Sequence, residues 1–180
     1  MKSIYVLLSR TDTVPARIIR TFTTGEFSHA SVSLLPRTDN FYSFARRKVN
    51  NPLFAGFISE NVHTKVFAKY PDAHCAIYQI NVSDEGYEKA RELIRFFRTN
   101  KKKATYSFAG ALAMRFGIIY RRKYKFACSQ FVAYLLDRTG DVSLPKDPYL
   151  MLPNDFLDIP GIKLIYDGTL QNCVFPAAQN

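Results

Sequence analysis

Two residues of this chain have the types and settings that nucleophilic catalysis needs. Cys128 stands in Ala127-Cys128-Ser129-Gln130, at the start of a run with apolar residues Phe131, Val132, Leu135 and Leu136. That spacing predicts an amphipathic helix with Cys128 in its first turn, on the side that faces the protein body. Far upstream, His29 opens the run Ser28 to Leu35, which predicts a strand. The free N–H groups and dipole of a first helical turn favour thiolate over thiol. The same N–H groups can hold an oxyanion. An imidazole in reach can take the thiol proton and later return it to a leaving group. Each residue also has a plainer reading: Cys128 as a small buried hydrophobe, His29 as core filling. Alternation places His29 with Ser31 and Ser33, away from Ala30 and Val32, which favours a role in chemistry.

A base of this kind needs a third group to fix its ring. No carboxylate lies in the strand expected next to His29. Tyr42 and Ser43 are the polar residues there, on opposite faces. Ser43 is the first choice, and Tyr42, a backbone carbonyl or a water remain open. His63 and His74 flank strands as edge residues, Cys75 reads as sheet core and Cys173 as tail. No CxxC or HxxxH spacing exists, so no metal and no other cofactor is expected.

The elements that must position these groups follow from periodicity and breakers. Ile4 to Ser9 predicts a first strand, and Pro15 to Thr21 a short helix. Residues 28–46 predict a β-hairpin turning at Pro36 to Asn40. Asn50, Pro52 and Gly56 predict a loop, and His63 to Ala68 and Cys75 to Val82 two further strands. Ser83 or Asp84 can cap a helix to Arg98, with Tyr87, Ala90, Leu93, Ile94 and Phe97 as its stripe. A basic loop at 101–104 precedes a helix from Tyr106 to Phe116. The helix of Cys128 runs to Asp137 and stops at Gly140. A loop with one helical turn near Asn154 to Leu157 leads to a last strand, Ile162 to Tyr166. Strands and helices segregate, which predicts an α+β fold with an antiparallel sheet.

The 180 residues suit a single domain, 1–180. A chain of this size buries about two-thirds of its unfolded surface and needs no disulfide to hold a core. The net charge of +10 gathers in Arg46-Arg47-Lys48, Lys101-Lys102-Lys103 and Arg121-Arg122-Lys123. Such a surface suits anionic partners. Without a zinc finger, phosphate loop or aromatic–basic repeat, it argues against nucleic acid. The opening apolar run is too short for a signal peptide, and no run is long enough to span a bilayer. With three cysteines, an odd number, these features predict a cytoplasmic protein.

The pattern Phe27-Ser28-His29-Ala30-Ser31 on a strand, followed far downstream by Ala127-Cys128-Ser129-Gln130-Phe131-Val132 on a helix, resembles the circularly permuted NlpC/P60 papain-like superfamily. This group includes YiiX/YebB-like hydrolases and lecithin retinol acyltransferase-like proteins. The resemblance covers about residues 4 to 140. It implies a small antiparallel sheet packed against helices, with Cys128 as nucleophile and His29 as base. It places the third polar residue on the next strand, in the Tyr42-Ser43 region, where this chain lacks the family's histidine or glutamate. The implied activity is a thiol-dependent hydrolase that attacks an amide or ester carbonyl through a cysteine thioester. The basic patches suit an anionic substrate. Two alternatives stay open: an acyltransferase at a membrane surface, with the helix from Tyr106 to Phe116 as a candidate lipid contact, and a non-catalytic binding protein that kept the fold. The oligomeric state is not legible.

Overall fold

The computed structural model describes residues 1–10, 25–48, 51–64 and 66–175. The helix expected from Pro15 to Thr21 lies outside the described residues. Among the described residues eight strands form one sheet: β1 (Lys2–Ser9), β2 (His29–Ser33), β3 (Phe41–Lys48), β4 (Asn51–Glu60), β5 (His74–Val82), β6 (Thr105–Tyr106), β7 (Lys125–Phe126) and β8 (Lys163–Thr169). Their order across the sheet is β7-β6-β4-β3-β2-β1-β5-β8. The pairs are antiparallel except β6 with β7, which run parallel. Among the described residues three α-helices accompany the sheet: α1 (Asp84–Thr99), α2 (Phe108–Arg115) and α3 (Cys128–Thr139). The fold is thus mixed α+β, with a larger sheet than the small one expected. Among the described residues, no helix is long and apolar enough to cross a membrane.

Alternation along the strands splits the apolar residues between two faces. Ile4, Val6 and Leu8 of β1 join Ala30, Val32, Tyr42 and Phe44 on the first face. Against them pack Ala90, Ile94 and Phe97 of α1 and the buried stripe of α3. Leu7, Phe41, Cys75 and Ile77 point the other way, where Val62, Phe67, Leu170 and Cys173 cover them. Helix α1 starts as the sequence predicts: the Ser83 hydroxyl accepts the Gly86 N–H at 2.9 Å. Helix α3 stops at Gly140, whose φ of 80° is left-handed.

Helix α3 is the hub of the first face. Phe131, Val132, Ala133, Leu135 and Leu136 are fully buried. The Phe131 ring lies 5.2 Å from Phe44 and 5.5 Å from Phe57 and from Phe97, centroid to centroid. Truncation there removes packing that neighbours on three elements cannot refill. Phe131→Ala is expected to cost about 3–5 kcal/mol, read as a lower urea midpoint with an unchanged slope.

Two expected elements differ. Strand β4, Asn51–Glu60, runs through the loop expected at Asn50, Pro52 and Gly56 and on to Glu60. Pro52 falls where the β3–β4 register shifts, between the Lys48–Asn51 and Arg46–Ala55 pairs, and a sheet tolerates proline at such an irregularity. Gly56 marks a close approach: a Cβ there would stand 2.2 Å from the Ala104 carbonyl oxygen, where β6 comes alongside. The strand expected from His63 to Ala68 is not seen among its described residues: Val62 to Thr64 turn, and Phe67–Lys69 is a short 3-10 helix, with Val62 and Phe67 over the second face of the sheet. An apolar run of that length carries no period that separates the two cases.

Candidate active site

His29 is the first residue of β2, where it pairs with Ser9 of β1. The approach to this position is clamped. Asn154 accepts the Phe27 N–H and donates to the Phe27 carbonyl, both at 3.0 Å. Its own backbone is held in the short 3-10 helix Pro153–Asp158. One side chain thus fixes the chain two residues before the imidazole. Asn154→Ala should cost about 1–3 kcal/mol, measured by urea unfolding, because it leaves two backbone groups without this partner.

Glu60 closes β4, in register with Phe41 of β3. Its two oxygens lie 3.1 and 3.0 Å from His29 Nε2. The Phe67 ring sits 5.9 Å from the imidazole, tilted by 58°. From sequence, Ser43 is the first choice to hold the ring. In the fold Ser43 serves the backbone instead, and its hydroxyl donates to the Ala30 carbonyl at 2.8 Å. The carboxylate on the ring comes from one strand further along. Sequence reasoning misses it because Asn50, Pro52 and Gly56 read as loop, which leaves Glu60 with no assigned strand.

Cys128 is the first residue of α3. The N-cap residue is Ala127, which has no side chain to satisfy the first-turn N–H groups. Gln130 instead reaches back, its Oε1 accepting the Ala127 N–H at 2.9 Å. The Gln130 Nε2 donates to the carbonyls of Tyr149 at 2.9 Å and Gly110 at 3.3 Å. Gln130 therefore fixes the turn that presents the thiol and is not free to meet a substrate. The His29 ring and the backbone N–H groups of Ala30 and Ser129 are the neighbours that favour charge on the Cys128 sulfur. The sulfur and the imidazole expected to meet are together.

The electrostatics favour an ion pair. Burial opposes charge on His29, but the Glu60 carboxylate and the Cys128 sulfur outweigh it, and the imidazole is pushed up to about 10. Burial also opposes charge on Cys128. The His29 hydrogen bond and charge, with the two N–H groups, outweigh that and bring the thiol below its ordinary value. Both shifts favour the thiolate–imidazolium form of the pair. Tyr106, at the end of β6, is a further neighbour that sequence reasoning does not find. Burial and the negative charge of Cys128 hold its phenol protonated well above the usual range. A two-residue strand gives no periodic signal by which to place it.

Access is narrow. Cys128 is 2% exposed, while the His29 and Glu60 side chains are 12% and 9% exposed. A cleft of about 890 Å³ meets the group at Glu60 and Phe67. Ile58, Arg46, Arg98 and Lys102 are among the residues that extend its walls. Arg47 draws the 101–104 turn against β3 by donating to the carbonyls of Lys101 and Ala104.

The remaining histidines and cysteines stand apart from this group. His74 lies between Glu26 and Asp167, 2.9 Å from each, and stacks on Phe27. His63 is exposed. Cys75 is buried as expected, and Cys173, expected in a tail, is fully buried beside it.

No protein-family model matches the chain, and a search of the curated proteins finds no match. The class that fold and site define is therefore a geometric one: an α+β protein with a cysteine at a helix start, a histidine at a strand start and a glutamate at a strand end.

Proposed function

We propose that this protein is a thiol-dependent hydrolase acting on amide or ester carbonyls, with Cys128 as nucleophile, His29 as general base and acid, and Glu60 as the residue that positions and charges the ring. The observation that carries this reading is the His29 ring, which meets the Glu60 carboxylate at Nε2 and has the Cys128 sulfur as an electrostatic neighbour. The thiolate attacks the carbonyl carbon and the carbonyl electron pair moves to oxygen. Backbone N–H groups of the first turn of α3 and the protonated Tyr106 phenol are the nearby donors for that charge. The tetrahedral adduct collapses to a thioester as the imidazolium proton passes to the leaving amine or alkoxide. Neutral His29 then takes a proton from water, hydroxide adds to the thioester carbonyl, and the acid departs with the thiolate and imidazolium restored.

The chain order, base first and nucleophile second, supports placing the protein in the permuted NlpC/P60 papain-like group. Its glutamate sits on β4, one strand beyond the place that resemblance implies. The basic walls of the adjoining cleft support an anionic substrate. An acyltransferase would share the first half-reaction and differ only in the acceptor.

The test is a trapped intermediate. Incubation with p-nitrophenyl acetate should give a burst of nitrophenol and one acetyl group on Cys128, located by peptide mass spectrometry and removed by hydroxylamine. Acetylation of Cys75 or Cys173 in its place, or no adduct with the protein fully folded, sinks the proposal.

A further inference from the structure

Helix α2 is built the wrong way round for a helix that serves only a core. Its inner face, with Gly110 and Met114, rests on the first turn of α3: Gly110 accepts the Gln130 amide, and the Ser129 hydroxyl lies 3.9 Å from the Met114 sulfur. Its outer face carries Phe108 and Leu112, 40% and 50% exposed. The chain that follows continues the patch, with Phe116 at 68%, Ile118 at 57% and Ile119 at 46% exposed. This run is not frayed. Gly117 takes φ +67°, and the N–H groups of Gly117 and Ile118 bond the carbonyls of Met114 and Ala113 at 3.2 and 3.0 Å. The turn therefore holds its apolar side chains outward at a cost that burial within this chain does not offset. Contiguous exposed apolar surface of this kind marks a contact site.

The charge around the patch selects the partner. Between Glu92 and Asp137 the sequence has ten lysines and arginines and no aspartate or glutamate. Arg121, Arg122, Lys123 and Lys125 follow the apolar run directly, and all are exposed. Asp147 meets this cluster at one end, 2.7 Å from Arg121. Apolar side chains ringed by cations fit the interface of a bilayer that carries anionic headgroups. A second copy of this chain would bring a like-charged rim against the first, at a net charge of +10 on each. The helix of eight residues is about 12 Å long, far short of the ~30 Å hydrocarbon layer. The contact lies in the interface and does not span.

We infer that the α2 outer face and the turn at Phe116 to Ile119 dock this protein on anionic lipid surfaces, with the cations after Tyr120 against the headgroups. This contact is independent of the hydrolase reading. If both hold, the surface supports the turn that carries Cys128 through the α2–α3 contact.

The experiment is co-sedimentation with vesicles of phosphatidylglycerol and phosphatidylcholine, against vesicles of phosphatidylcholine alone. The native protein should partition onto the anionic vesicles, and high salt should weaken it about tenfold or more. The double variant Phe116→Ser/Ile118→Ser changes only exposed side chains, so its melting temperature should hold while partitioning falls about tenfold or more. Arg122→Glu/Lys123→Glu should lose binding to anionic vesicles to a similar degree. Three results overturn the inference: no partitioning of the native protein, partitioning that neither double variant alters, or a dimer in sedimentation velocity that Phe116→Ser/Ile118→Ser abolishes. Iodoacetamide labelling of Cys128 on the same samples reports on the thiol separately, so either reading can fail alone.

Discussion

Iodoacetamide should label Cys128 rapidly at pH 6.5, where an ordinary thiol is only about 1% thiolate. Relative to a free model thiol, the rate at that pH should be about tenfold higher or more, less than the thiolate fraction alone implies because nucleophilicity falls with pKa. The cause is specific. Burial alone would push this sulfur up, and the imidazolium hydrogen bond, its charge and two backbone N–H groups reverse that. In His29→Ala the imidazolium is gone and only the two backbone N–H groups oppose burial. Labelling should then fall below that of the model thiol throughout neutral pH, and esterase turnover should drop about 10²–10⁴-fold. Cys75 and Cys173 are both fully buried and should remain unlabelled, which makes them internal controls. The measurement is peptide mass spectrometry across pH. Equal labelling of Cys128 in the native and His29→Ala proteins would show that the ion pair does not exist.

Glu60→Gln should move the basic end of the activity window. His29 is held at about 10 against burial because Glu60 faces it. With a neutral amide there, burial gains, so the ring loses its proton at lower pH. The acid limb belongs to Cys128 taking up a proton, and a weaker imidazolium shifts that limb upward. The two limbs close on each other as a coupled pair, and kcat should fall about 10²-fold. Ser43→Ala should leave both limbs in place, since that hydroxyl serves the Ala30 carbonyl. A pH–rate profile of the three proteins decides this. Should Ser43→Ala narrow the window and Glu60→Gln leave it unchanged, the assignment of the third residue is reversed. Stability carries the same signature. The raised pKa of His29 contributes fully below its ordinary 6.5 and is lost as pH rises through about 10. The native protein should therefore lose more stability over that interval than Glu60→Gln.

The chain itself determined the parts of this site that depend on local order. Cys128 at a helix start follows from an apolar stripe with a 3.6-residue period, and the Gly140 stop from the need for a left-handed residue. His29 on a strand follows from alternation. These are properties of neighbours in sequence, and they survive folding because short-range sterics enforce them. The resemblance in motif and order then puts sulfur and imidazole together as an expectation, and in the fold the two side chains act on each other's charge.

Tertiary structure decided the rest. Glu60 reaches His29 only because β4 lies beside β3, and β4 is disguised by Pro52 and Gly56, residues that normally break a strand. Gly56 is there because β6 passes too close for a Cβ, a fact about a segment some fifty residues later. Asn154 clamps Phe27 across 127 positions, and Tyr106 stands by the sulfur on a strand too short to have a period. The outward turn of Phe108, Leu112 and Phe116 is only half legible, because a helix of small and apolar residues reads as lipid contact or as packed core until its neighbours are placed. Periodicity records which face of an element is apolar. Which element comes to cover that face, and which carboxylate comes to meet a ring, is set by strand order and by the contacts that folding brings from far along the chain.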